Sequence, residues 1–118
     1  MRFETPMRFE TPMRFETRGV IPADHPALIG HFPGNPIVPG VVILDEILQA
    51  LADWRVDGRL LSMPTVKFLA PLRPEQAFTI RLVDAGSGRV RFECLREDGQ
   101  PVAQGLLVPV SDPPELQD

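Results

Sequence analysis

The residues best suited to chemistry lie in one stretch, GHFPGNPIVPGVVILDEILQ, which runs from Gly30 to Gln49. His31 carries the side chain whose unperturbed pKa is nearest neutrality, so it is the natural candidate for proton transfer. Gly40 precedes an apolar helical segment, where free backbone N–H groups can receive a developing oxyanion. Asp45 follows five residues later. A base, an oxyanion donor and an acid suit the removal of a proton beside a carbonyl together with loss of a hydroxyl as water.

Other chemistries are disfavoured by the same residues. The stretch contains no serine or cysteine nucleophile, which argues against a covalent acyl-enzyme. The two histidines, His25 and His31, lack metal-ligand spacing and no dense carboxylate cluster accompanies them, so no metal site is expected. We expect His25 to be structural or solvated, and Cys94, the single cysteine, to be a small core hydrophobe.

One helix is predicted, over Val41–Trp54, with Asp57-Gly58 as its stop signal. A spacing of about 100° per residue gives it one broad apolar stripe. The stripe comprises Ile43, Leu44, Ile47, Leu48, Leu51 and Trp54. On this wheel Glu46 should be solvated and Asp45 should look along the margin of the core. The plainer alternative is that Asp45 only complements the helix dipole.

Five strands are predicted from runs of β-branched and aromatic residues bounded by turn residues. They cover residues 14–21, 63–69, 76–85, 89–97 and 101–110. The last four are expected to form an antiparallel meander. The proline-rich segment between the first strand and the helix must be an ordered loop. One helix with about five strands indicates an α+β fold, with the helix lying across one face of a curved antiparallel sheet.

A chain of 118 residues is expected to form one domain, here residues 13–111, with a flexible tail at 112–118. Residues 1–12 repeat the unit MRFETP, which we interpret as a duplicated start of the reading frame, with a flexible binding arm as the alternative. The net charge of −4 gives no reason to expect nucleic acid or an anionic membrane as a partner. No apolar run reaches the roughly 20 residues of a membrane span, and a single cysteine fits a reducing compartment, so a cytoplasmic location is expected.

The central stretch resembles the signature of the β-hydroxyacyl-acyl-carrier-protein dehydratases, which have a hot-dog fold. The similarity includes the His-Phe-Pro-Gly tetrapeptide, the Pro-Ile-Val-Pro-Gly run and an acid 14 positions after the histidine (45 − 31 = 14). It continues through VKFLAPLRPEQAFTI and EDGQPVAQGLLV, so it covers nearly everything after the repeat. The turn Arg-Pro-Glu-Gln departs from the family's Pro-Gly-Asp, and the chain has no tyrosine.

The resemblance implies a role for each matching residue. His31 would remove the α-proton of a β-hydroxyacyl thioester, Asp45 would assist loss of the β-hydroxyl, and the N–H groups of Gly40 and Val41 would hold the thioester carbonyl. His31 and Asp45 of one site would come from different protomers of a homodimer. Apolar side chains expected along the acyl chain are Phe32, Val38, Val42 and Phe68.

The resemblance also implies partners. No cofactor is expected, since the substrate would be carried on the phosphopantetheine of acyl carrier protein or on coenzyme A. Carrier proteins are acidic, so a basic patch is expected to receive one. Its candidate members are Lys67, Arg73, Arg55 and Arg59.

The rival hypotheses are a hot-dog acyl thioesterase and a non-catalytic subunit that binds acyl chains. A thioesterase has no need of the His-Phe-Pro-Gly loop, and a non-catalytic subunit should have lost His31 or Asp45.

Overall fold

The computed structural model describes residues 13–28, 36–55 and 59–110, and these form one helix and one five-stranded sheet. The helix is α1 (Gly40–Trp54), and the strands are β1 (Arg14–Gly19), β2 (Leu60–Phe68), β3 (Phe78–Gly86), β4 (Arg89–Arg96) and β5 (Pro101–Pro109). A short 3-10 turn spans Pro26–Leu28. Each pair of neighbouring strands is antiparallel. The predicted α+β class, with one helix against about five strands, is confirmed. In these ranges no helix has the length and apolar character to span a membrane.

The core fills the space between α1 and one face of the sheet. Alternate residues of the two central strands β3 and β4 point to the helix and are at most 2% exposed. They are Phe78, Ile80, Leu82, Val90, Phe92 and Cys94. The expectation that Cys94 is a core hydrophobe is therefore confirmed. Burial, with a smaller contribution from the charge of Glu46, raises the pKa of the Cys94 thiol to about 11, so it stays protonated and unreactive near neutral pH.

Strand β2 does not take the place predicted for it. The strand order is β1-β3-β4-β5-β2, so only β3, β4 and β5 form a meander, and β2 pairs with β5 at one edge of the sheet. The nine-residue link from Leu69 to Ala77 contains two prolines, Pro71 and Pro74, which cannot donate to a strand ladder. The link therefore crosses the end of the sheet instead of turning back as a hairpin.

The buried face of α1 is also rotated from the predicted one. Val42, Ile43, Ile47, Ala50 and Leu51 are buried, while Leu44 and Leu48 are only half-buried. Asp45 is exposed and Glu46 is half-buried, which reverses the predicted environments of the two acids. The sequence-based wheel assigned Leu44 and Leu48 to the core, whereas the surface that they form is only partly covered by the sheet.

Candidate active site

An open, mostly apolar groove lies at the start of α1. Its volume is about 510 Å³, a size typical of small-molecule sites. One wall comes from the residues around the helix start and the other from the end of β2 and the link after it. The lining consists of Ile37, Val38, Gly40, Ile43, Phe68, Leu69, Ala70, Pro71 and Leu72. Its composition suits an alkyl chain better than a polar ligand.

Gly40 brings bare backbone to the floor of this groove. Pro39 precedes it with extended backbone (φ −62°, ψ 147°) and provides no side-chain cap for the helix. The first N–H groups of a helix have no partner within it and carry the positive end of the helix dipole. The ring of Phe68 lies against Gly40, because a Cβ built on Gly40 would sit 2.8 Å from the Phe68 Cζ atom. Only glycine leaves room for this ring beside the helix start.

Backbone hydrogen bonds hold the two walls together. The Val38 N–H donates to the carbonyl of Leu72 at 2.8 Å, which ties the segment before the helix to the link after β2. The Leu69 N–H donates to the carbonyl of Val102 in β5, also at 2.8 Å. The groove is therefore part of the framework of the fold.

The same link holds the loop that leads towards His31. The Glu75 N–H donates to the carbonyl of Ile21, and the Glu75 carboxylate accepts from the Ala23 N–H, both at 2.8 Å. Glu75 has a left-handed backbone (φ 66°), and the resemblance aligns it with the glycine of the Pro-Gly-Asp turn. At this position the chain has a residue whose side chain fastens the loop to the link.

His25 stabilises the next turn of this loop. Its Nδ1 atom accepts from the Ala27 N–H at 3.0 Å, and its carbonyl accepts from the Leu28 N–H at 2.9 Å. The histidine acts as a cap of the 3-10 turn, which confirms the structural role expected for it. His31 and Phe32 lie outside the described residues.

The groove contains some of the residues predicted for it. Val38, Gly40 and Phe68 line it, whereas Val42 is buried in the core and does not. Val41 is 64% exposed on the opposite side of the helix start. Asp45 is also exposed and is absent from the lining of the groove. Within the described ranges, no group of three or more histidine, cysteine or acidic side chains could hold a metal ion.

Comparison with known proteins identifies the family of this chain. A family model described as ApeI-like, ApeI dehydratase, matches residues 8–106. The chain belongs to the ApeI-like family. Among curated relatives, a 3-hydroxyacyl-acyl-carrier-protein dehydratase FabZ of Ehrlichia chaffeensis is 32% identical over 94 residues, which are 72% of this chain and 66% of that protein. The FabZ of Bartonella henselae is 33% identical over 88 residues, or 65% and 57% of the two chains. The ApeI-like chain thus spans less than two thirds of the length of these relatives.

Solved structures agree on the fold. The dehydratase heterocomplex ApeI:P from Xenorhabdus doucetiae matches with a TM-score of 0.72 at 22% identity, covering 89% of this chain and 90% of that one. A hypothetical thioesterase with coenzyme A from Streptococcus pneumoniae matches with a TM-score of 0.61 at 12% identity, covering 80% and 75%. Because dehydratases and thioesterases both match, these similarities establish the hot-dog fold of the ApeI-like chain and leave the reaction to be argued from the site.

The four cations predicted to form one basic patch are dispersed in the ApeI-like structure. Arg55 lies at the far end of α1, about 22 Å from Gly40 at a rise of 1.5 Å per residue. Its guanidinium carbon lies 4.0 Å from the Trp54 ring centroid, and the side chain forms an ion pair with Asp84 at 3.4 Å. Arg59 lies at the same end, where its carbonyl accepts from Val110. Lys67 lines a shallow depression on the sheet face away from the helix. Arg73 alone follows directly on a groove residue, Leu72. Within a single chain these four candidates therefore do not form one patch, and their contact with a carrier protein stays a prediction.

Sequence reasoning missed one wall of the groove. Residues 69–72, Leu-Ala-Pro-Leu, were interpreted as a strand end and a turn, yet all four line the groove and Leu72 is only 1% exposed. A signal was present, because a solvent-exposed turn seldom carries four consecutive apolar residues. Ile37 and Ile43, which also line the groove, had no comparable signal.

Proposed function

We propose that this chain dehydrates a β-hydroxyacyl thioester to the trans-2-enoyl thioester. The observation that carries the proposal is an apolar groove that opens on the first turn of a helix at Gly40. The acyl chain lies along the groove, and the Gly40 and Val41 N–H groups stabilise the negative charge that develops on the thioester oxygen. His31 removes the α-proton, the β-carbon–oxygen bond breaks, and Asp45 protonates the departing hydroxyl, which leaves as water.

We infer that Asp45 serves the groove of a second copy of the chain. Two residues along a helix correspond to about 200°, so Asp45 points about 160° away from Ile43, which lines the chain's own groove. Around Asp45 the helix surface is apolar although it faces away from the sheet. This surface comprises Val41, Leu44, Leu48 and Ala52, each exposed or half-buried. Packing against a second copy would bury it and would place Asp45 at the interface of a homodimer.

The thioester is proposed to arrive on acyl carrier protein, with coenzyme A as the simpler carrier. The names of the FabZ relatives include acyl carrier protein, which supports this choice of partner. Of the four predicted cations, Arg73 is the one beside the groove and is retained for the contact with an acidic carrier. Lys67, Arg55 and Arg59 lie on other surfaces of the single chain, so Arg73 is the first of the four candidates to test.

The first experiment measures the reverse reaction and thiol release together. Purified protein is expected to hydrate trans-2-enoyl thioesters of coenzyme A or carrier protein, seen as loss of the absorbance of the conjugated enoyl thioester. A thiol reagent in a parallel sample should detect no release of free thiol. Faster thiol release from a saturated acyl thioester would favour the hot-dog thioesterase instead, and absence of both reactions at every chain length would favour the acyl-binding subunit.

Gly40→Ala tests the contact at the helix start. The added Cβ would lie 2.8 Å from Phe68 Cζ, so either the ring or the first helical turn must move. A displacement of this size at a reacting centre is expected to lower the hydration rate by about 10- to 100-fold. The melting temperature should change little, because alanine favours the helix more than glycine does. Rates and melting curves measured on the same preparation check both parts.

A matched glycine serves as the control for this variant. A Cβ on Gly19 in β1 would lie 2.9 Å from the ring of Phe78, a similar contact away from the groove. Gly19→Ala should lower the melting temperature and leave the rate per folded molecule unchanged. Adding Phe68→Leu to Gly40→Ala should recover part of the lost rate. A Gly40→Ala protein as active as the wild type would mean that the contact between Phe68 and the helix start is not needed to position the substrate.

A further inference from the structure

We propose that Arg96, the last residue of β4, and Asp98, in the turn between β4 and β5, form a positioning pair that fixes one wall of the groove and so strengthens binding of longer acyl chains. The proposal rests on the proposed function only for the chemical class of the ligand. Neither residue lines the groove. They act through Pro71, which does.

The Arg96 guanidinium joins the turn to the wall. Its Nη1 donates to the carbonyl of Pro71 at 3.1 Å, across 25 positions of sequence. Its Nη2 and Nε face the two carboxylate oxygens of Asp98, at 3.1 and 3.4 Å. The Arg96 side chain is 22% exposed, against 47% for Arg81, which makes ion pairs on the outer sheet face. A two-point contact fixes the plane of the guanidinium and hence the direction of its bond to Pro71.

Asp98 is itself held in place by the turn. Its Oδ1 atom accepts from the Gln100 N–H at 3.0 Å, and the Gly99 N–H donates to the carbonyl of Arg96 at 2.9 Å. Hydrogen bonds from Arg96 and Gln100 lower the pKa of the Asp98 carboxyl, so it remains ionised at neutral pH. The Asp98 side chain is 61% exposed, so these hydrogen bonds within the turn, rather than burial, orient Arg96 towards Pro71.

Among the described residues, the wall makes few other backbone hydrogen bonds at this point. Proline has no N–H, so the carbonyl is the only backbone hydrogen-bonding group of Pro71. The flanking residues are tied by Leu69 to Val102 and by Leu72 to Val38, each at 2.8 Å, whereas the Ala70 N–H is 3.5 Å from its acceptor, Val102. Without Arg96 the middle of the wall loses its direct support. Because Leu72 is bonded to Val38 just before α1, movement of the wall would change the width of the groove.

The test measures binding without catalysis. S-decyl-pantetheine and S-butyl-pantetheine are thioethers that cannot react, and calorimetry gives their dissociation constants for each variant. Arg96→Ala is expected to raise the dissociation constant of S-decyl-pantetheine about tenfold, because one charge-assisted hydrogen bond is lost. The dissociation constant of S-butyl-pantetheine should rise less than threefold. Arg96→Lys, which keeps one donor near Pro71, should recover part of the affinity. Asp98→Asn should give an intermediate loss of affinity for S-decyl-pantetheine.

In turnover assays of Arg96→Ala, the KM for a ten-carbon enoyl thioester should rise while kcat stays within about twofold of the wild-type value.

Arg81→Ala is the matched control. It removes an arginine that pairs with Glu16 at 2.9 Å and Glu93 at 3.8 Å and does not line the groove, and it should leave both dissociation constants unchanged. Loss of stability with equal weakening of both thioethers would assign Arg96 a purely structural role and overturn the proposal. An unchanged affinity of Arg96→Ala for S-decyl-pantetheine would overturn it too, as would failure of the wild type to bind that probe. Binding by the wild type without any hydration would instead overturn the proposed function alone.

Discussion

Asp45→Asn is expected to lower the hydration of trans-2-enoyl thioesters by about 10²- to 10⁴-fold, and His31→Ala by a similar factor, because each removes a proton-transfer group from the transition state. Asparagine has nearly the shape of aspartate but cannot exchange the proton. Asp45 is exposed within the single chain, so the fold of the chain should be little affected by its replacement. Initial rates with the best thioester of a chain-length series provide the measurement.

The neighbouring acid provides a matched control for Asp45. Glu46→Gln makes the same chemical change one position along the helix, at a half-buried residue whose charge contributes to the raised pKa of Cys94. It should change stability more than activity. Equal loss of rate in Asp45→Asn and Glu46→Gln would show that the helix, and not one carboxylate, is being perturbed.

Mixing the two inactive variants tests whether a site is shared between copies. If His31 and Asp45 of one site come from different chains, a mixed dimer of His31→Ala and Asp45→Asn contains one intact site and one doubly altered site. After random exchange half of the dimers are mixed, so roughly a quarter of wild-type activity should return. If both residues of a site came from one chain, every site would keep one lesion and no activity would return. The second result would contradict the partner-supplied acid while leaving the reaction itself in place.

The sequence predicted most of the fold because the elements are locally coded. The helix was expected at 41–54 and lies at 40–54, and the four strands after it were placed within a few residues. The pairing of the strands was harder to predict from the sequence. Both edges of a sheet accept an antiparallel strand, and nothing in the residues of β2 distinguishes β5 from β3 as its neighbour. Pro64 within β2 was a partial clue, since proline is tolerated in edge strands.

The environments of the two helical acids were mistaken for a physical reason. Amphipathic spacing reports where apolar residues lie, not which partner buries them. Leu44 and Leu48 were assigned to the core, yet they are half-buried beside the exposed residues Val41 and Asp45. A helix that packs on its own sheet with one face and, as proposed, on a second copy with another has two apolar faces. A single helical wheel combines these two faces into one broad stripe, so it placed Asp45 at the margin of the core although the residue is exposed.

The dispersed cations illustrate a different limit. Lys67 and Arg55 were grouped with Arg73 by charge alone, and charge carries no information about the side of the sheet. Strand alternation would have separated Lys67 from Phe68, since neighbours along a strand face opposite sides. Residues that act over long sequence separations, such as Arg96 on Pro71, leave no local signal at all.

Gly105→Ala is expected to destabilise the fold by about 3 kcal/mol or more, at or above the upper end of the usual cost of overpacking a core, because backbone has to move. Gly105 lies in β5 between Val66 of β2 and Phe92 of β4. A Cβ here would overlap the carbonyl oxygen of Thr65 and would lie 2.8 Å from Cε2 of Phe92, a fully buried ring. The first obstacle is backbone, so no side-chain rotation relieves it. Urea denaturation of the wild type and the variant measures the difference.

Gly88→Ala separates this steric cost from the general cost of replacing a glycine. Gly88 has a left-handed φ of 74° and no atom within 4 Å of an added Cβ. The Gly88→Ala variant should therefore lose only about 1 to 2 kcal/mol of unfolding free energy. A Gly105→Ala variant within 1 kcal/mol of the wild type would show that β2 can shift freely against β5. That outcome would also weaken the case for a preformed groove, because β2 carries Phe68 and leads into Leu69, which is hydrogen-bonded to Val102 of β5. A large loss of unfolding free energy in Gly105→Ala would show that the sheet and the groove both require β2 to lie as close to β5 as Gly105 permits.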